Sequence, residues 1–182
     1  LLNMSQLEFI LKDMLAQLLN EKEIAWTDGK AAAADRMTEM SEYFTGEKAL
    51  SRVKRDENMM KWFSGLSQTV TDLTFDGEHA TATGRKIQGL MNALEDVEQF
   101  EAIDTNIQIK TFLMEARDIF RQMIRTVNIK SEIMNILENI SDLSYAWGTL
   151  PDYLPVFHDR VHRDPATVVL LRATFLKTAS IL

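Results

Sequence analysis

The sequence has no cysteine, and only 3 prolines and 7 glycines among 182 residues. Without cysteine there is no disulfide framework, no thiolate metal site and no thiol nucleophile. With so little proline and glycine, most of the chain lacks the residues that interrupt regular structure, so long elements are expected. Apolar runs near the ~20 residues that span a bilayer as a helix are missing as well. One of the longest, Val168 to Leu171, ends at Arg172. A basic excess is lacking: 20 Lys and Arg against 27 Asp and Glu give a net charge of −7, which argues against nucleic acid as a partner. No phosphate-binding P-loop, G-x-G-x-x-G, G-x-S-x-G or EF-hand pattern occurs, so enzymatic function has little support.

What is present is ordinary for a folded protein, with 46% hydrophobic and 26% charged residues and a length typical of one domain. Apolar residues recur at spacings of three and four, the signature of a helix face. Leu7, Leu11, Met14 and Leu18 make the first stripe, with a Ser5-x-x-Glu8 capping box and a Met4–Phe9 staple at its start. The pattern weakens at Trp26 to Gly29 and resumes through Met37, Met40 and Phe44 to a terminating Gly46, so residues 3–45 read as one helix or two. A third helix is expected from near Asp56 to Leu73, carrying Met59, Trp62, Phe63, Leu66 and Val70. Thr74 to Gly84 (TFDGEHATATG) reads as a loop, with Gly84-Arg85-Lys86 starting a fourth helix that carries Ile87, Leu90, Leu94 and Val97. Thr105-x-x-Gln108 opens a fifth through Ile109, Phe112, Ala116, Ile119, Met123 and Val127. Ile133, Ile136, Ile140, Leu143 and Trp147 mark a sixth, and Asp164-Pro165 begins a seventh.

No stretch shows sustained alternation with β-branched enrichment. The expectation is an all-α chain of about six or seven helices without sheet, arranged as an antiparallel bundle or an elongated stack of helical hairpins. Residues 1–182 are expected to form a single helical segment of a larger scaffold, a fragment at both ends. The chain opens on Leu1-Leu2 without an initiator Met, and Val168 to Leu182 (VVLLRATFLKTASIL) reads as a helix with a start signal and no stop signal.

Two constellations could carry chemistry or recognition. His158 and His162 stand at i and i+4, as in the zinc-binding H-E-x-x-H pattern, but Asp159 replaces the glutamate and no third ligand is evident. Two surface histidines on a polar helix explain the pair better than a metal-dependent hydrolase does. Arg117, Arg121 and Arg125 recur every four residues opposite the apolar stripe, forming a candidate partner-facing basic stripe. The competing reading is an internal ion-pair face against Glu95, Asp96, Glu98 and Glu101, which sit towards the C-terminal end of their helix where the macrodipole disfavours negative charge. The 10 methionines lie mostly at core spacing, although a Met-rich binding groove is the alternative. No residue is assigned a catalytic, cofactor-binding or metal-binding role.

Six stretches, in order along the chain, resemble the strumpellin family of WASH complex subunits. They are Leu7 to Lys22 (LEFILKDMLAQLLNEK), Arg36 to Met40 (RMTEM), Gly84 to Lys86 (GRK), Gln122 to Lys130 (QMIRTVNIK), Asp142 to Trp147 (DLSYAW) and Leu171 to Ser180 (LRATFLKTAS). Departures fall at Thr74 to Thr83 and at Gly148 to Arg163, the second of which contains the histidine pair, so the family gives that pair no support. The resemblance implies a non-enzymatic helical scaffold without cofactor, cytoplasmic and endosome-associated. Its partners would be the other WASH subunits and, indirectly, the Arp branching complex and actin, with membrane association only through the complex. A free-standing helical adaptor or vesicle tether is the alternative.

Overall fold

Four of the expected apolar stripes become helices in the computed structural model, which describes residues 4–44, 56–99, 103 and 107–138. These are α1 (Met4–Tyr43), α2 (Glu57–Thr71), α3 (Ala80–Glu98) and α4 (Ile107–Glu138). The described residues contain no strand. They hold four helices where the count of six or seven was expected over the whole chain. Part of the difference is fusion. Residues 4–43 form one helix, because nothing between Trp26 and Gly29 breaks it: Trp26 is buried, the Thr27 hydroxyl folds back onto the Glu23 carbonyl at 3.0 Å, and Gly29 faces α4. The expected fifth and sixth helices are likewise continuous through Ile133 to Glu138, since Asn128 to Glu132 carries neither proline nor glycine. The rest of the sixth helix (Ile140, Leu143 and Trp147), the seventh helix, the His158/His162 pair, Glu101, Gly46 and the Thr105 cap lie outside the described residues. The Ser5 cap is superseded, because α1 is already helical at Met4.

The chain divides into two compact units, one of residues Glu23–Ile129 and one of Leu1–Lys22 with Lys130–Leu182. In the second of these, Leu15, Leu18 and Ile133 are buried. In the first, four helical segments run alternately up and down around one core. Residue pairs fix the directions. Along α1 and α2 the contacts descend as α1 rises: Lys30 meets Thr71, Ala34 meets Ser67 and Ser41 meets Met60. Gly29 meets Met123 while Arg36 meets Glu115, so α4 is antiparallel to α1. The core comprises Met37, Met40, Phe63, Val70, Ile87, Leu94, Ile109, Leu113, Phe120 and Met123 among others, all essentially without solvent exposure. Burial at about 25 cal/mol per Å² of apolar surface is the main stabilising term for such a body.

Local chemistry sets the helix ends. Asp56, in extended backbone, accepts hydrogen bonds from Asn58 N at 3.0 Å and Met59 N at 3.2 Å and so caps α2. At the other end of α2, the Lys30 ammonium donates to the Thr71 carbonyl at 3.2 Å and the Leu73 carbonyl at 3.3 Å, a cation at the negative end of the helix. The seam between α1 and α2 is built from small hydroxyl residues. Ser41 donates to the Met60 carbonyl (3.1 Å) and shares a hydrogen bond with Ser64 (3.0 Å), while Ser67 donates to the Ala34 carbonyl (3.0 Å) and pairs with Thr38 (3.0 Å).

The α2–α3 connection is shorter than the expected loop of Thr74 to Gly84. Helix α3 starts at Ala80, four residues before Gly84, because Ala80 and Thr83 are buried in the core and favour continued helix. Asp76 shapes the turn by accepting from Glu78 N at 3.0 Å and bonding the His79 ring. At its start, Phe75 stacks on Trp26 with centroids 5.3 Å apart.

Candidate partner-facing surface

The three arginines of α4 do not share one environment. Helical positions four apart drift by about 40° per step, so a run of three turns gradually from one neighbour towards solvent. Arg117 is turned to α3 and its side chain is only 12% exposed; it donates to Glu98 Oε1 at 2.8 Å. Glu98 is the last residue of α3, where the macrodipole disfavours a carboxylate, and the guanidinium offsets that cost. The hydrogen bond to Glu98 raises the Arg117 pKa above its ordinary value, with partial burial opposing and the charges of Glu98 and Glu95 adding. Arg121 is more than half exposed and donates within its own helix to Asp118 at 2.6 Å. Arg125 is exposed and has no ion-pair partner among the described residues.

Between α3 and α4 lies an open depression lined by Glu95, Glu98, Gln99, Lys110, Arg117 and Arg121. Both signs of charge line it, and Arg117 already neutralises Glu98 across it. Its chemistry is mutual charge satisfaction. Asp96, of the same acidic cluster, lines a different, smaller groove between α2 and α3 with Asn58, Met59, Trp62, Ala93 and Val97.

A second charged cluster, which sequence reading missed, ties α1 to α4. Arg36 forms ion pairs with Glu39 at 3.2 Å and with Glu115 at 2.9 Å, and its guanidinium lies 5.0 Å from the centre of the Phe112 ring. Phe112 in turn stacks on Tyr43 at 5.7 Å. Such cation–π contacts contribute about 0.5–1 kcal/mol at exposed sites. The Arg36–Glu115 pair is separated by 79 positions in sequence, and nothing in the local pattern links them.

Among the described residues one group has metal-ligand character: Asp76, Glu78 and His79 bring their donor atoms within 4.8 Å of one another in the α2–α3 turn. The turn explains the cluster, since Asp76 accepts from the Glu78 amide and the His79 ring, and the last two side chains are exposed. The hydrogen bond between Asp76 and His79 raises the His79 pKa above its ordinary 6.5 and lowers that of Asp76 below its ordinary 3.8. The methionine pattern resolves largely into core: Met37, Met40, Met91 and Met123 are buried, and Met59 and Met60 pack against them. Met114 is exposed, as are Ile107 on the same helix and Phe9 and Ile24 on α1. No helix of the described residues is long and apolar enough to cross a membrane.

Comparison with known proteins gives a consistent result along the whole chain. The family model described as "Strumpellin: Hereditary spastic paraplegia protein strumpellin" matches residues 1–182. The chain is similar to WASH complex subunit 5 of Dictyostelium discoideum, 50% identical over all of this chain and 16% of that protein. It is 41% identical to WASH complex subunit 5 of Homo sapiens over the same shares. WASH complex subunit homolog 5 of Drosophila melanogaster is 34% identical over all of this chain and 15% of its own length. The chain thus spans about one sixth of the length of the curated relatives it matches. No solved structure matches it significantly.

Proposed function

This chain belongs to the strumpellin family, and from that membership we propose that it serves as a non-enzymatic scaffold segment of a WASH complex subunit. Its contribution is a helical body of fixed shape that holds other subunits in register. The assembly it supports activates Arp-dependent branched actin nucleation on endosomes. The protein is cytoplasmic, and it reaches the endosomal membrane through the complex. Other WASH subunits are its direct partners, with the Arp branching complex and actin met indirectly.

The observation that carries this reading is the similarity itself. Relatives named as WASH complex subunits match every part of the chain at 34–50% identity. Neither the family description nor the relatives' names denote an enzyme. The charged depression on unit Glu23–Ile129 supports a structural role, because its arginine and glutamate neutralise each other. Of the three arginines in the basic stripe, Arg121 and Arg125 are the ones available to a partner, and Arg117 serves the fold.

Affinity purification of the full-length protein, tagged at its natural locus, tests the reading. Recovery of WASH subunits in fixed proportion is expected. Recovery of a vesicle-tethering assembly without them would replace it by the adaptor alternative. Stoichiometric zinc in the purified protein, lost in H158A/H162A, would instead favour the hydrolase reading.

A further inference from the structure

The outward face of α4 has a composition that its place in the bundle does not explain. Positions 107, 111, 114, 118, 121 and 125 fall on one face of the helix, spaced by four, three, four, three and four. Ile107 is 82% exposed and Met114 is 58% exposed. Single exposed apolar residues are ordinary on a protein surface. Here two of the four large exposed apolar residues among the described residues stand one heptad apart on one face, with the small Thr111 between them. Two turns further on, the same face becomes cationic at Arg121 and Arg125. Among the described residues Arg121 is engaged by Asp118 alone, and both side chains of that pair are exposed enough for Arg121 to exchange partners. Arg125 has no ion-pair partner among the described residues.

We propose that this face of α4, from Ile107 to Arg125, docks one amphipathic helix of another polypeptide, apolar where it meets Ile107 and Met114 and acidic where it meets Arg121 and Arg125. The spacing is that of a two-helix seam, in which residues at alternating three and four positions keep facing a partner. Eighteen residues of rise give a contact about 27 Å long. Guanidinium groups select carboxylates through paired, directional hydrogen bonds, so the cationic end reads acidic side chains.

Other occupants fit less well. A second copy of the same face, packed antiparallel, would set the apolar half against the arginines; packed parallel, it would oppose arginine to arginine. An anionic membrane or nucleic acid would meet Asp118 in the middle of the stripe and a chain of net charge −7 around it. The proposal rests on the scaffold reading and narrows it to one surface and one partner chemistry.

The test places the photo-reactive residue p-benzoyl-phenylalanine at Met114 or at Gln122 in the full-length protein within its purified assembly. Asn92 of α3 is the control position. Both probes are expected to crosslink to one helix of another polypeptide, the Met114 adduct beside apolar residues and the Gln122 adduct beside Asp or Glu a few turns away. R121E/R125E is expected to lower the Met114 adduct about tenfold, and I107D/M114D to lower the Gln122 adduct as much. Adducts within the same chain, to a second copy, to lipid or to a non-helical segment, or no adduct above the Asn92 control, would overturn the proposal. If the assembly co-purifies with WASH subunits in any of those cases, the docking proposal alone fails; if it does not, the scaffold reading fails with it.

Discussion

Charge reversal at Arg117 separates a structural arginine from a recognition arginine in one experiment. The Arg117 side chain is 12% exposed and Glu98 26%, so the pair lies between a surface ion pair, worth about 0–1 kcal/mol, and a buried one, whose disruption costs about 3–5 kcal/mol. A hydrogen bond to a charged group contributes about 1.5–3 kcal/mol. In R117E the bond is lost and a carboxylate is placed against Glu98 and Glu95, so about 2–3 kcal/mol of destabilisation is expected. For a chain of this length 1 kcal/mol moves Tm by about 2–4 °C, giving a drop of roughly 4–12 °C. R121E, in a pair with both partners more than half exposed, should stay within about 0.5 kcal/mol of the starting protein. Thermal unfolding of the purified chain followed by far-ultraviolet circular dichroism reads both. The exchanged variant E98R/R117E should recover more than half of the loss. An R117E melting temperature indistinguishable from that of R121E, or an exchange that recovers nothing, would refute the division of the stripe.

Three further outcomes follow from the same structure. Asp56→Ala removes the acceptor for two amides of α2 and should cost about 1 kcal/mol in urea unfolding, with Asp56→Asn near neutral. Phe120→Ala opens the centre of the core and should cost about 3–5 kcal/mol, measured the same way, whereas Phe9→Ala should change little. The His79 imidazole should titrate above 6.5 by NMR and return towards 6.5 in D76N. Because the folded His79 pKa is raised, its stabilising contribution is complete below 6.5 and fades as pH rises through the folded value. Because that of Asp76 is lowered, its contribution is present above 3.8 and lost as pH falls through the folded value. The pair therefore supports the turn best at mildly acidic pH.

Much of the helical content was legible because it rests on local periodicity. The stripe Ile87, Leu90, Leu94 and Val97 is buried as its spacing requires, and Asp56 starts α2 where a cap residue precedes an apolar run. The number of helices was not legible, because Gly29 looks like an interruption until its close approach to Met123 Cγ, 3.3 Å from where a Cβ would sit, gives it a packing reason. The width of the α4 stripe was missed for a related cause. A helix flanked by neighbours on two sides buries Leu113 and Phe120 as well as the face through Ile109, Ala116 and Met123. Spacing also treated Arg117, Arg121 and Arg125 as equivalent, whereas the partner of Arg117 comes from another helix and cannot be read from α4 alone. The hydroxyl seam of Ser41, Ser64 and Ser67 was invisible for the same reason, since serines at helix surfaces look solvated until a second helix lies against them.

The role assigned to this body is tested most directly by unfolding it in place. The full-length protein carrying Phe63→Asp and Phe120→Asp, both at fully buried positions, is expressed as the sole copy, and the subunits that co-purify with it are quantified against the unaltered protein. Loss of one or more WASH subunits from the recovered assembly, at unchanged amounts of the tagged protein, is the outcome expected of a scaffold segment. Full recovery of every subunit in the original proportions, with this segment unfolded, would contradict it.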